Sequence, residues 1–272
     1  MSSLVSVIVP VLNAEKTVAR CIESLFAQTW KDLEIIAVDG GSTDGSAAVL
    51  RELAARDDRL RVYVRKERLG VAESRNWAVL QAKGVYVQFA DSDDWVAPEA
   101  TERMVKAMEF GACDLVITGY NEVLGTLCNR RGLLKQDAFL SQEEFLGCFA
   151  QNPNAFYYSV LWNKLYRREL ILAHDVCCDP QLNWGEDFAF NVAYYRWVKH
   201  VAVLADPVYH YVRNPKGLTV GMARRCLRHP ADAVRIKVRQ YRRYVRLYES
   251  VGLYPDYRRQ LRKYLFSFAL LD

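Results

Sequence analysis

Hydrophobic and polar positions change their spacing repeatedly along the first 119 residues of this chain. Short runs rich in β-branched residues alternate with longer segments whose apolar residues recur every three or four positions. The short runs predict strands, and the longer segments predict amphipathic helices that cover them. The predicted strands are LVSVIVPV, LEIIAVD, RLRVYVR, GVYVQFAD and CDLVITGY, and the predicted helices are AEKTVARCIESLFAQT, DGSAAVLRELAAR, GVAESRNWAVLQAK and PEATERMVKAMEF.

This alternation predicts an α/β fold with a mainly parallel, Rossmann-like sheet flanked by helices. Ligands bind such sheets at the carboxyl ends of the strands. Three predicted strands carry polar residues there: Asn13 follows the first, Asp39 ends the second, and the segment 91–94 follows the fourth. We therefore expect the functional site along this edge of the sheet.

The pattern is less regular after residue 120. Ser141 and Glu144 have the spacing of a capping box at the start of a helix. The chain then predicts a second helix and two short strands around Pro207, and from Ala231 onward two basic helices broken by a turn. The segments concerned are SQEEFLGCFAQ, GEDFAFNVAYYRWVK, HVAVLADPVYHYVR and GLYPDY, and WNKLYRREL is interpreted as the start of an amphipathic helix.

Composition narrows the class of protein. About half of the 272 residues are apolar and a quarter are charged, which is typical of a globular domain. No uncharged apolar run reaches the roughly 18 residues of a membrane span, and the start of the chain lacks a basic secretory signal, so a cytoplasmic location is expected. The seven cysteines have no CxxC spacing. This argues against a disulfide framework or a structural zinc site.

Charge is distributed unevenly. The segment 224–263 holds 13 Lys and Arg against 3 Asp and Glu, a local charge of +10, so the rest of the chain carries −5 against the total of +5. Tyrosines are interleaved with these basic residues. Such a segment suits the anionic surface of a membrane, a nucleic acid, or a solvated helix face whose tyrosines pack on the core.

Three aspartates close the fourth predicted strand. Asp91, Asp93 and Asp94 would repel one another unless a cation neutralised them. Oxygen ligands without nearby histidine or cysteine favour a hard ion, Mg²⁺ or Mn²⁺, which commonly bridges carboxylates to phosphate. The alternative is that Asp94 or a neighbour caps the helix beginning near Pro98.

The second predicted strand runs into the loop VDGGSTDGS. Its glycines allow the backbone to approach a ligand closely, although a tight turn with Asp44 as helix cap explains the same residues. The chain has neither GxGxxG nor GK[ST], which disfavours NAD binding and P-loop ATP hydrolysis.

Four stretches in order resemble bacterial family 2 glycosyltransferases of the GT-A fold. They are VSVIVPVLNAEKTVARCIESLFAQTWKDLEIIAVDGGSTDGS, GVAESRNWAVLQAKGVYVQFADSDDW, WNKLYRREL and GEDFAF, and the resemblance covers roughly residues 4–219. It implies a metal-dependent, inverting enzyme that moves a hexose or N-acetylhexosamine from a UDP-sugar to a hydroxyl of a capsule, exopolysaccharide or lipopolysaccharide acceptor. The alternatives are a sugar nucleotidyltransferase, which would need a basic Gly-rich loop that is absent here, and a glycan- or nucleotide-sugar-binding relative without catalysis.

The resemblance also implies roles for individual residues. On the donor side, the nucleotide base is held by the strand end with Pro10 and Asn13 and by Asp39. Arg75, with Asn76 beside it, contacts the nucleotide phosphates, Asp91 and Ser92 contact the donor, and Asp93 binds Mn²⁺ or Mg²⁺. The family often has VDDGS where this chain has VDGGS, so Gly40 removes one carboxylate.

On the acceptor side, Asp187 corresponds to the general base and Glu186 to a residue that orients a hydroxyl. Both carboxylates would also favour the start of a helix dipole. The remaining acceptor-side candidates are Trp184, Lys164, His210 and Arg213, with Lys216 beside them. Each has a structural alternative, as a core residue or as a wall behind the base.

The resemblance finally implies an organisation of the chain. Residues 1–219 would form the GT-A domain, with a nucleotide-binding part (1–119) and an acceptor part (120–219), and residues 220–272 a basic helical extension. Because many family members use lipid-linked acceptors, the extension is expected to touch the inner face of the cytoplasmic membrane. Nucleic acid is not expected as a partner, since the catalytic motifs explain the protein without it.

Overall fold

A computed structural model describes residues 3–132, 134–182, 184–214, 221 and 227–266. The described strands are β1 (Val5–Val11), β2 (Leu33–Asp39), β3 (Leu60–Val64), β4 (Tyr86–Phe89), β5 (Trp95–Val96), β6 (Leu115–Leu124), β7 (Leu127–Arg131), β8 (Ala138–Ser141), β9 (Lys164–Arg167) and β10 (His200–Val212). The described helices are α1 (Val18–Phe26), α2 (Ser46–Ala54), α3 (Val71–Gln81), α4 (Ala100–Phe110), α5 (Gln142–Gln151), α6 (Phe156–Ser159), α7 (Arg168–Ala173), α8 (Glu186–Tyr195), α9 (Pro230–Ser250) and α10 (Tyr254–Phe266).

One mixed sheet organises these elements. Its strand order is β3-β2-β1-β4-β9-β6-β10-β5, with β7 paired to β6 and β8 paired to β10. Strands β3, β2, β1 and β4 are mutually parallel, as are β6 and β10. The predicted α/β fold with a helix-flanked sheet is confirmed, and the parallel half carries the strand ends that the sequence singles out.

The part of the chain after residue 120 differs from the predicted pattern. WNKLYRREL was interpreted as a helix, but Lys164–Arg167 form β9, which lies antiparallel between β4 and β6. The two strands predicted around Pro207 are one 13-residue strand with register shifts on both sides of that proline. In both places the conformation is determined by pairing with strands that are distant in sequence. The local spacing of apolar residues therefore does not predict it correctly.

The four helices predicted within the first 119 residues form where their apolar spacing places them. In α1, the residues Val18, Cys21, Ile22 and Leu25 are buried at the expected intervals. Strands β1 and β2 are buried at every position, as expected for parallel strands covered on both faces. The capping box of α5 is also confirmed, since the Glu144 carboxylate accepts from the Ser141 backbone N–H at 2.8 Å.

Helices α9 and α10 pack against α8 and α5. Tyr244 lies between Phe149 of α5 and Phe188 of α8, with ring centroids 4.9 Å from each. The hydroxyl of Tyr248 donates to the Leu146 carbonyl at 2.6 Å. The tyrosines on this side therefore belong to the core, whereas the exposed face of α9 is basic. Within the described ranges, none of the helices combines the length and apolarity needed to cross a bilayer.

Candidate active site

The carboxyl ends of β2, β1 and β4 lie side by side, because β1 pairs with both neighbours. Val11 and Asp39 are register partners at the end of β1 and β2. Asn13 follows β1 with a left-handed backbone (φ 52°), and its side-chain oxygen accepts from the Thr43 N–H at 2.8 Å. The loops after β1 and β2 are therefore joined, as expected for one binding edge.

Asp39 is fully buried beneath this edge. Its Oδ1 accepts from the backbone N–H groups of Gly41 and Ser42, at 3.1 and 2.7 Å. Its Oδ2 is buried and has no hydrogen-bond partner among the described residues. A buried acceptor without a donor is costly, so the geometry suits a carboxylate that accepts from a ligand N–H.

Gly40 has a specific structural cause. A Cβ at this position would lie 2.7 Å from the Leu69 carbonyl oxygen, and the Leu69 N–H donates to the Gly40 carbonyl at 2.9 Å. The segment before α3 therefore lies directly on the loop after β2. The departure from VDDGS makes this close backbone contact possible.

The aspartates after β4 divide into two kinds. Asp91, Ser92 and Asp93 are partly exposed and line the central cavity, whereas Asp94 is buried. Burial, followed by the charge of Asp91, raises the pKa of Asp93 to about 6. The ionised form of Asp93 is therefore disfavoured by burial and by the neighbouring Asp91.

The expectation that Asp94 caps the following helix is wrong. Helix α4 begins at Ala100, and Asp94 instead accepts from the Tyr209 hydroxyl (2.8 Å) and the Val212 N–H (2.7 Å). The same tyrosine oxygen accepts from the Asp91 N–H at 3.0 Å. Tyr209 and Asp94 therefore attach the end of β10 to the loop that follows β4, residues 90–94, which we call the aspartate loop.

Glu186 and Asp187 form the first turn of α8, after Gly185 with φ 84°. Both carboxylates line the cavity. Burial raises the pKa of Asp187 most; Arg75 lowers it, Glu186 and Asp91 raise it further, and the result is about 7. A carboxyl group with this pKa can take a proton near neutral pH, which is what a general base requires.

Arg75 connects the two sides of the site. It is only 3% exposed, and its Nη1 lies 2.5 Å from Asp187 Oδ1 while its Nη2 lies 2.8 Å from Asp91 Oδ1. Glu186 lies 3.5 Å from the same Nη1. Burial opposes the charge of Arg75, but Asp187 and Asp91 raise its pKa well above the usual value. Its neighbour Asn76 binds the Cys178 backbone through both side-chain atoms, at 2.7 and 2.8 Å, and is structural.

Lys164 does not reach the cavity. It is fully buried, and its ammonium donates to the carbonyl oxygens of Tyr157, Val160 and the Asn163 side chain, at 3.1, 2.5 and 2.8 Å. Burial lowers its pKa well below the usual value, and the charge of Asp187 opposes this. The reading of Lys164 as an acceptor or diphosphate contact is wrong; it forms the wall behind Asp187.

The other acceptor-side candidates differ in whether they line the cavity. Trp184 is half-buried and lines the cavity. His210 stacks on Trp95 with ring centroids 4.8 Å apart, and burial lowers its pKa. Arg213 is exposed and pairs with Glu122 at 3.5 Å. Neither His210 nor Arg213 is among the described residues of the cavity wall, and Lys216 lies outside the described residues.

The cavity has a volume of about 1160 Å³. Its lining joins Pro10, Asn13, Arg75, Asp91, Ser92, Asp93, Trp184, Glu186 and Asp187 with residues of α9 and α10. It exceeds the usual range for a single small ligand, so it has room for a nucleotide-sugar and part of a second substrate. Sequence reasoning missed the contributions of Tyr209, Gln240 and Tyr264, because each depends on contacts between elements far apart in sequence.

The residues at the cavity fit a hard divalent cation only together with a ligand. No cluster of three or more His, Cys, Asp or Glu side chains in the described part of the chain could enclose a metal ion. Asp93 offers carboxylate oxygens at the cavity, where burial and then the charge of Asp91 raise its pKa to about 6. Mg²⁺ is commonly held in this manner, by one or two carboxylates completed by substrate phosphates and water.

The fold and its strand-end site define a GT-A type α/β protein. The sequence matches the family described as Glycosyl transferase family 2 over residues 6–171, more than half of the chain. The chain therefore belongs to glycosyl transferase family 2.

Curated relatives extend this comparison. The uncharacterized glycosyltransferase EpsJ of Bacillus subtilis is 32% identical over 223 residues, which cover 80% of this chain and 64% of EpsJ. The poly(ribitol-phosphate) beta-glucosyltransferase of Bacillus spizizenii is 28% identical over 229 residues, covering 80% of this chain and 34% of that protein. The chain thus spans less than two thirds of the length of these relatives.

Solved structures agree on the fold. S. aureus TarS 1-349 in complex with UDP matches with a TM-score of 0.67 and 26% identity, covering 78% of this chain and 61% of that chain. Another structure of TarS 1-349 matches over 98% of this chain and 72% of that chain, with a TM-score of 0.73 and 22% identity. The second likeness concerns the fold alone and extends over nearly the whole chain.

Proposed function

We propose that this protein is an inverting glycosyltransferase that moves a hexose or N-acetylhexosamine from a UDP-sugar to a hydroxyl of a bacterial surface glycan. One observation carries the proposal: Asp187, a partly exposed carboxyl with a pKa of about 7, lines the same cavity as Asp93, Pro10 and Asn13. A proton acceptor and a phosphate-side carboxylate therefore face one space.

The reaction needs one proton transfer on the acceptor side. The acceptor oxygen attacks the anomeric carbon from the face opposite the diphosphate, and its proton passes to the Asp187 carboxylate. The bond between the anomeric carbon and the phosphate oxygen breaks as the new bond forms, and UDP leaves with the electron pair. Arg75 holds Asp187 by its Oδ1, and Glu186 beside it orients the attacking hydroxyl.

Donor binding uses the strand ends. The Asp39 Oδ2, which lacks a partner among the described residues, would accept from the uracil N–H. Pro10, Asn13 and Ser92 line the same cavity as Asp93, and Asp39 is buried at the end of β2 beneath this edge. A TarS structure contains UDP, and another contains UDP-GlcNAc at 25% identity to this chain, which supports a uridine donor.

Asp93 is the residue that would hold Mn²⁺ or Mg²⁺. A cation bound there with the diphosphate would neutralise charge on the leaving group. The surface-glycan acceptor is supported by the relative named a poly(ribitol-phosphate) beta-glucosyltransferase. A cytoplasmic site of action, next to an anionic membrane, is part of the same proposal and depends on the exposed arginines of α9.

UDP release tests the assignment. Wild-type protein is incubated with Mn²⁺ and a panel of UDP-sugars, and Asp187→Asn is compared with Glu143→Gln, the matched control that removes an exposed carboxylate from the first turn of α5. Asp187→Asn should bind UDP normally in calorimetry but turn over at least about 10²-fold more slowly, the lower range for loss of a general base. Unchanged turnover by Asp187→Asn would remove it from the base role.

A further inference from the structure

The C-terminal helices contribute to the cavity wall. Gln240 of α9 and Tyr264 of α10 line the same cavity as Asp187 and Trp184. They come from the segment that the sequence marks only by its basic charge. This places part of the extension at the site itself.

Gln240 and Tyr264 form a buried polar pair. They are 8% and 5% exposed, and the Tyr264 hydroxyl donates to the Gln240 side-chain oxygen. This bond fixes which side of the amide is the acceptor and leaves the Gln240 Nε2 as a donor group. Buried polar pairs of this kind specify one side-chain arrangement.

The Gln240 amide lies next to the turn that carries the candidate base. A Cβ added to Gly185 would be 3.2 Å from Gln240 Nε2. Gly185 directly precedes Glu186 and Asp187, so the amide lies beside the start of α8. A side chain at position 185 would crowd this amide, which gives a second reason, besides φ 84°, for glycine there.

Several contacts hold α9 in this position. Arg243 pairs with Asp179 at 3.3 Å and so ties α9 to the segment leading toward Trp184. The Tyr244 hydroxyl donates to the Pro153 carbonyl, next to another stretch of the cavity wall. Tyr244 also packs on Phe188 of α8. Helix α9 is thus anchored about one turn after Gln240, through Arg243 and Tyr244.

We propose that Gln240, positioned by Tyr264, binds a pyranose unit of the acceptor. The inference rests on the proposed function and adds residues to its acceptor side. An amide donor that lines the same cavity as a half-buried tryptophan suits a sugar, which presents hydroxyls at its edge and an apolar face to an aromatic ring. The Gln240–Tyr264 pair lies next to the start of α8, whereas Asn13, Asp39 and Asp93 belong to the strand ends. Because the donor is assigned to the strand ends, we assign the sugar bound by Gln240 to the acceptor.

The test separates acceptor binding from donor binding. Gln240→Leu and Tyr264→Phe are assayed with the UDP-sugar that wild type turns over, and a panel of p-nitrophenyl β-hexosides serves as acceptor. Gln240→Leu should raise the acceptor KM about ten-fold, the effect of one lost hydrogen bond, while the UDP Kd is unchanged. Tyr264→Phe should raise acceptor KM by less, since it removes the positioning bond but not the amide.

Tyr248→Phe is the matched control, because it removes a buried tyrosine hydroxyl of α9 that bonds to the Leu146 carbonyl instead. It should leave acceptor KM unchanged. An unchanged acceptor KM in Gln240→Leu, or an equal weakening of UDP binding, would overturn the inference and leave the proposed function standing. If the wild-type protein releases UDP from none of the UDP-sugars, the proposed function is contradicted instead. The inference is then tested separately, by saturation-transfer NMR of the hexosides with UDP-loaded protein. Failure of the hexosides to bind would overturn it.

Discussion

Arg75 Nη1 lies 2.5 Å from Asp187 Oδ1, and the same guanidinium reaches Asp91 with its other terminal nitrogen. The two carboxylates are 96 positions apart in sequence, and both line the cavity. Arg75 sits between them with almost no exposed surface. A single buried cation therefore joins the aspartate loop after β4 to the first turn of α8, and the ionisation of Asp187 depends on it.

Replacing Arg75 tests this link. Arg75→Met leaves Asp91 and Asp187 without their cation, so we expect a loss of about 3 kcal/mol in the free energy of unfolding, as for other broken buried pairs. Arg75→Lys keeps the positive charge, but a single ammonium group cannot bridge two carboxylates as the planar guanidinium does. We expect it to lose less unfolding free energy than Arg75→Met. Urea unfolding measures both. Equal stability of wild type and Arg75→Met would show that the link contributes nothing.

The pH dependence of transfer follows from Asp187. A general base works in its ionised form, so kcat/KM should fall as the pH drops below about 7 and reach a plateau above it. Glu186 raises the pKa of Asp187, and Glu186→Gln should therefore move the acid limb to lower pH. Profiles recorded at saturating Mn²⁺ keep Asp93 ionised throughout. An acid limb that stays in place or moves upward in Glu186→Gln would contradict this electrostatic coupling.

The parallel half of the fold could be predicted because its signals are local. Strands such as β1 are buried at all positions, and helices such as α1 bury residues at regular intervals, so hydrophobic spacing alone identifies them. Strand β9 could not be predicted in this way. Its residues become a strand only because β4 and β6 flank them, a relationship that the spacing within WNKLYRREL does not contain.

The candidate site, like the fold, could be predicted from the sequence only where its signals are local. Short motifs single out Asp93 and Asp187 as candidates, and both residues line the cavity. The corrected roles of Asp94 and Lys164 depend on partners elsewhere in the chain: Tyr209 for the first, and the carbonyls of Tyr157 and Val160 for the second. A charged residue in a motif looks the same in sequence whether it faces a ligand or a buried carbonyl.

Gly40 should be intolerant of any side chain. The Cβ of Gly40→Ala would lie 2.7 Å from the Leu69 carbonyl oxygen, so the loop after β2 or the segment before α3 must move. We expect a cost of about 1–3 kcal/mol in unfolding free energy and weaker UDP binding, because Asp39 precedes this loop. Gly132→Ala is the control, since its Cβ would meet its nearest neighbour at an ordinary 3.6 Å. Calorimetry measures the affinity for UDP. A normal affinity of Gly40→Ala for UDP would show that the contact between Gly40 and Leu69 has no role in donor binding.

Tyr209 should affect Mn²⁺ and UDP binding through the aspartate loop. Tyr209→Phe removes a hydroxyl that donates to Asp94 and accepts from the Asp91 N–H. Tyr195→Phe removes another buried hydroxyl, which donates to the Tyr158 carbonyl at 2.7 Å. Both should lose about 1–3 kcal/mol of stability. Only Tyr209→Phe should also weaken Mn²⁺-dependent UDP binding, and equal affinities in the two variants would show that Tyr209 is purely structural.

The exposed face of α9 should bind anionic membranes. Arg235, Arg239, Arg242 and Arg246 are exposed at spacings of four, three and four, which places them on one side of the helix. Each arginine near an anionic surface contributes about 1 kcal/mol, so a double Arg239→Gln, Arg242→Gln variant should bind vesicles roughly 30-fold more weakly.

Co-sedimentation with phosphatidylglycerol-containing vesicles at low salt measures this difference. The matched control, Arg51→Gln with Lys66→Gln, removes the same charge from exposed positions outside α9. If net charge alone drove binding, both double variants would lose affinity equally. If neither wild type nor the control sediments with the vesicles, the basic face is a solvated helix surface and the membrane proposal is wrong.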